Sequence, residues 1–87
     1  MIYRVAWARA AAVDLEALVR LSADPDEIVR VALIINERLQ REGHLAGESR
    51  VGTLRGVIEP PLTCYFRYRA EDRTVIVVAL CIRRKRP

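Results

Sequence analysis

Eighty-seven residues, 52% of apolar types and 30% charged, make one ordinary globular domain spanning 1–87. A chain of this length buries roughly 60–65% of the surface its unfolded form exposes, enough for one core and no second. Its longest apolar run, Val75–Ile82, falls far below the roughly 18 residues that cross a bilayer, and Met1-Ile2-Tyr3-Arg4 lacks the pattern of a signal peptide. Cys64 and Cys81 are too few for a disulfide framework or a zinc site, so a reduced cytoplasmic protein without metal or other cofactor is expected.

The charge is unevenly spread. Met1 to Gly47 holds six Arg and seven acids, a net of −1, whereas Glu48 to Pro87 holds eight Arg, one Lys and four acids, a net of +5. The whole excess of +4 therefore falls in the second half, where it can form a patch for an anionic partner. All but one of the basic residues are Arg, whose planar fork suits two-point contact with phosphate.

In chain order, Ile2–Trp7 alternates, with Tyr3, Val5 and Trp7 on one face and Ile2, Arg4 and Ala6 on the other, and reads as a short strand. Ala8, Ala11, Ala12, Leu15, Leu18 and Val19 then recur at helical spacing, and this stripe stops near Ser22. Asp24-Pro25-Asp26-Glu27 opens a second helix: Asp24 caps it, Pro25 suits its first position, and Glu27 can reach back to the cap's own N–H. Ile28, Ala32, Ile35 and Leu39, widened by Val31, form its buried stripe. Gly43 ends it in the left-handed conformation, and His44 suits the negative end of the helix dipole as a C-terminal cap. Two helices joined by about three residues form an antiparallel hairpin.

From Arg50 the period becomes two. Arg50–Ile58 reads as a second strand, weakened by Gly52 and Gly56, and Glu59-Pro60-Pro61 turns the chain. Leu62–Arg69 is a third strand, with Leu62, Cys64, Phe66 and Tyr68 on one face and Thr63, Tyr65, Arg67 and Arg69 on the other. Thr74–Ile82 is apolar on both faces and reads as an interior strand between the first and the third, with Val78 enclosed. The expected architecture is α+β, in the order βααβββ: a four-stranded, mostly antiparallel sheet with a helical hairpin on one face and the other face partly open.

If Leu54 and Ile58 face the helices, Thr53 and Arg55 point outward and join Tyr65, Arg67 and Arg69. Arg83, Arg84 and Lys85 follow just past the last strand. Such a face can grip phosphates through Arg while a base stacks on Tyr65, although exposed strand positions also carry Arg simply as solvated charge. Cys64 falls on the core face with Cys81 across the last hairpin, as two small buried hydrophobes or as a redox-sensitive pair.

Several segments together resemble one family. Tyr3-Arg4-Val5-Ala6-Trp7 leads into an Ala-rich helix, and Gly47-Glu48-Ser49-Arg50 opens the second strand. Pro60-Pro61-Leu62-Thr63-Cys64-Tyr65-Phe66-Arg67 and Glu71-Asp72-Arg73-Thr74-Val75 follow, before an apolar last strand and a terminal Arg cluster. In order and spacing the chain resembles the RelE/ParE toxin superfamily of bacterial type II toxin–antitoxin systems over nearly its whole length. The resemblance implies the fold above and a toxin held inactive by an antitoxin whose acidic tail covers the basic face. Toxins of the superfamily either cleave messenger RNA on the ribosome or poison DNA gyrase.

For the RNA-cleaving branch, Arg55 and Arg84 resemble the family's basic residues, and with Arg67 of the outward strand face they make the expected catalytic set stabilising the scissile phosphate, while Arg50, Tyr65, Arg69, Arg83 and Lys85 are expected to bind RNA. The chain departs from that branch at Pro60-Pro61-Leu62, where an Arg is usual, and after Arg84, where no Tyr or His follows. Arg stays charged at any relevant pH and cannot take the proton of a 2′-hydroxyl, which leaves Lys85 and His44 as proton-transfer candidates. These features suit the alternative, a non-enzymatic member: a gyrase poison or an orphan antitoxin-binding module.

Overall fold

The computed structural model describes residues 2–82. The chain runs β1 (Arg4–Trp7), α1 (Arg9–Leu21), α2 (Pro25–Glu42), β2 (Glu48–Ser49), β3 (Arg55–Glu59), β4 (Leu62–Arg69) and β5 (Thr74–Ile82). One mixed sheet has the order β1-β5-β4-β3-β2, with β1 parallel to β5 and every other pair antiparallel. The apolar strand β5 is interior, as its sequence requires, and the helical hairpin covers one face.

The sheet has five strands where the sequence reading has four, because Gly52 breaks the second one. Gly52 takes φ +57, a conformation costly to residues with a Cβ. Around it Arg50 N donates to Leu54 O (2.8 Å) and Leu54 N to Val51 O (3.0 Å), which folds residues 50–54 into a turn between β2 and β3.

Asp24 caps α2 as expected, its Oδ1 accepting from Glu27 N at 3.2 Å with Pro25 in the first turn. The reciprocal contact from Glu27 is replaced by a nearer one, since the Asp24 N–H donates to Ser22 Oγ at 3.0 Å. Gly43 ends the helix at φ +60, and a Cβ there would lie 2.6 Å from the Tyr3 ring. His44 does not cap the helix. It sits in the short 3₁₀ turn Gly43–Ala46, stacked on Tyr68 at 4.3 Å between ring centroids and edge-on to Tyr3, on the helix side of the sheet.

The core joins Ile28, Ile35 and Leu39 of α2 to Leu62, Cys64, Phe66, Val75 and Val77 of the sheet, all essentially inaccessible. Each such large aliphatic or aromatic side chain contributes about 1.5–3 kcal/mol on burial. From α1 only Ala11 is fully buried, and its lack of bulk fits a helix that lies close to the sheet. The pairing of β4 with β5 skips one residue, from Tyr65–Ala79 to Phe66–Val77, so Val78 forms a bulge and is half-buried rather than enclosed.

Candidate functional site

Strand registers assemble the open face from four cross-strand rungs. Arg4, Thr74 and Arg69 form the first; Ala6, Ile76 and Arg67 the second. Ala79, Tyr65, Gly56 and Glu48 form the third, and Cys81, Thr63 and Ile58 the fourth. Arg4 was not among the residues singled out from sequence. Its alternation with Val5 is visible in the sequence, but only the parallel pairing of β1 with β5 brings it onto the rung of Arg69, with Thr74 between them.

The arginines of this face differ in their commitments. Arg69 forks onto Asp72, with Nε–Oδ1 2.9 Å and Nη2–Oδ2 2.6 Å. That hydrogen bond is the main reason the Asp72 carboxyl is pulled down to about 2 from an ordinary 3.8. Arg67 Nη1 donates to Thr53 Oγ1 at 2.8 Å and remains exposed. Arg50 lies across β3: a Cβ on Gly56 would stand 2.9 Å from its Nε and 3.4 Å from Tyr65 Cε1. Gly56 is buried beside Arg50, as are Thr63 and Thr74 between the longer side chains of this face.

Arg55 does not point outward. Residues two apart on a strand share a face, and Val57 is buried opposite Cys64 in the core, so Arg55 is turned to the helix side. Its Nη2 donates to Gly47 O at 2.6 Å, and its Nε is buried without a hydrogen-bond partner. The outward reading assumed that Leu54 belongs to the strand, whereas the Gly52 turn takes Leu54 out and leaves Ile58 on the open side. Arg83, Arg84 and Lys85 lie outside the described residues.

Both cysteines are free and do not face each other. Cys64 sits opposite Leu80 in the core, where burial chiefly, with Cys81 adding, pushes its thiol up to about 12. Cys81 sits opposite Thr63 and is exposed on the open face. On the far side of the molecule, α1 and α2 leave an apolar groove of about 540 Å³ lined by Trp7, Ala12, Leu15, Val29, Leu33 and Asn36. The Trp7 indole donates to Asn36 Oδ1 at 3.0 Å within it, and Leu33 is 64% exposed there.

These features define a small α+β domain with a helical hairpin over one face of a mixed sheet and Arg residues across the other. It is the RelE/ParE fold. Among solved structures, the RelBE2 toxin–antitoxin complex of Mycobacterium tuberculosis contains a chain similar to this one, with TM-score 0.78 and 21% identity over 95% of this chain and all of that one. The chromosomal ParDE system of P. aeruginosa contains another, with TM-score 0.74 and 20% identity over 95% of this chain and 98% of that one. The intact E. coli RelBE complex is similar at TM-score 0.58 and 9% identity, over 97% and 99% of the two chains. No protein-family model and no curated protein matches the sequence.

Proposed function

We propose that this chain is the toxin of a type II toxin–antitoxin pair and that its open face binds messenger RNA for cleavage on the ribosome. The observation that carries the reading is the grouping of Tyr65 with Arg50 and Arg67 on one uncovered sheet face. Arg67 is positioned to stabilise charge developing on a phosphate, and Arg84 joins it on the family resemblance. Arg55 instead braces the Gly47 backbone. The partner is an antitoxin that screens the basic face with an acidic segment.

A second reading, a gyrase poison without nuclease chemistry, is favoured by a specific feature. Among the described residues the open face carries no His or Lys, and His44 lies on the helix side against Tyr68. Arg cannot remove a 2′-hydroxyl proton, so cleavage needs the ribosome to supply that transfer. Inducing the gene alone in bacteria and mapping new 5′ ends of messenger RNA separates the two readings. Fragments dependent on Arg67 support cleavage, while arrest with intact messages and trapped gyrase–DNA complexes supports the second. Absence of growth arrest removes both.

A further inference from the structure

The open face changes character along its length. One end carries the charged side chains Arg4, Arg67 and Arg69, whereas the other sinks into a recess of about 390 Å³ lined by Arg50, Ile58, Thr63, Tyr65, Cys81 and Ile82. Arg50 and Tyr65 converge beside Gly56, where a Cβ would stand 2.9 Å from Arg50 Nε and 3.4 Å from Tyr65 Cε1. The lining brings the apolar side chains of Ile58 and Ile82 together with the Tyr65 ring and the Arg50 guanidinium, and Thr63 there is buried at 4% exposure.

That combination suits one kind of group. A free phosphate would use Arg50 and leave Ile58 and Tyr65 idle, while an aliphatic chain would desolvate Arg50 without return. A planar heteroaromatic ring can stack on the tyrosine and the guanidinium and pack its apolar face against Ile58. We propose that this recess is a single-nucleobase pocket, taking one unpaired base of single-stranded RNA while the adjoining phosphates run toward Arg67. This rests on the RNA-binding reading above and adds to it a base-dependent end and a base-independent end of the same face.

Cys81 provides a direct reporter. It is exposed in the recess, whereas Cys64 is buried on the opposite face with its thiol held protonated at neutral pH, so maleimide labels Cys81 selectively. The experiment measures the labelling rate of Cys81 in the full chain, resolved by peptide mass spectrometry. The probes are dye-labelled hexauridylate and an abasic ribose-phosphate hexamer of equal charge, with binding followed by fluorescence anisotropy. Both oligomers should bind with salt-dependent affinity, but only saturating hexauridylate should slow Cys81 labelling several-fold. Tyr65→Ala should abolish protection while the abasic hexamer still binds; Tyr65→Phe should retain it. Binding of both oligomers with no protection, or with equal protection, overturns the pocket and leaves the RNA-binding face standing. Failure of both to bind overturns the pocket and the RNA reading together.

Discussion

The carboxylate of Asp14 in α1 accepts a hydrogen bond from the Leu80 amide of β5 at 3.1 Å, 66 residues away in sequence. β1 pairs with β5 only from Thr74 to Val77, and the Ala8 amide takes the Val77 carbonyl at 2.8 Å as the chain enters α1. Past that point the inner strand would have a bare edge, and Asp14 fills it. Asp14→Ala should cost about 1–3 kcal/mol by leaving a part-buried amide unpaired. Asp14→Asn, which keeps an acceptor, should cost less. Urea unfolding gives the energies, and faster exchange of the Leu80 amide in the Ala variant locates the loss.

The bulge gives adjacent valines opposite tolerances. Val77 is fully buried beside Phe66, while Val78 is the extra residue of β5. Val77→Asp should not fold, because an unpaired carboxylate in the core has no compensation. Val78→Asp should remain folded, with moderate destabilisation. Circular dichroism and solubility of the pair test the assignment, and a folded Val77→Asp protein would require the sheet to be redrawn.

The arginines should separate by salt dependence. Arg67→Ala and Arg50→Ala should each weaken binding to single-stranded RNA and reduce the slope of log K against log salt by about 0.7, the value for one lost phosphate contact. Arg55→Ala should leave the slope unchanged. It should instead cost about 1.5 kcal/mol of stability, as the Gly47 carbonyl loses a charged donor. An altered slope in Arg55→Ala would place that side chain on the RNA after all.

Acid should release one turn. The Asp72 carboxyl is depressed to about 2 by its hydrogen bond from Arg69. A depressed carboxylate contributes stability that is fully present above its unfolded value near 3.9 and is lost as pH falls through about 2. Asp72→Asn should therefore flatten the pH dependence of stability between about pH 4 and 2 and change little else. NMR titration of the Asp72 carboxyl carbon measures the shift directly.

The cap at α2 is a local matter. Asp24→Ala should lower stability by about 1 kcal/mol, and Asp24→Ser should recover most of it. Thermal unfolding of both variants suffices, and equal losses in the two would show that the contact to Glu27 N contributes nothing.

Some of this molecule was determined by the sequence alone, because the interactions responsible are local. The Asp24-Pro25 cap, the stripe of α2 from Ile28 to Leu39, the positive-φ stop at Gly43 and the alternation of β4 all depend on residues within one or two turns of each other. The run Val75–Ile82 also placed β5 inside the sheet, since a long apolar strand left at an edge would present an unpaired backbone ladder to solvent. Tertiary structure decided the rest. The face to which Arg55 turns depends on where the strand begins, and a single glycine turn shifts that origin, which reverses every side chain in a period of two. Arg4 reaches the basic face only through a parallel pairing seventy residues away in the chain. The recess beside Tyr65 brings Arg50 together with Ile58 and Cys81 from three separate segments, and His44 past the end of α2 stacks on Tyr68, a residue of β4. Local spacing specifies the elements, but long-range packing decides which side of them meets the solvent.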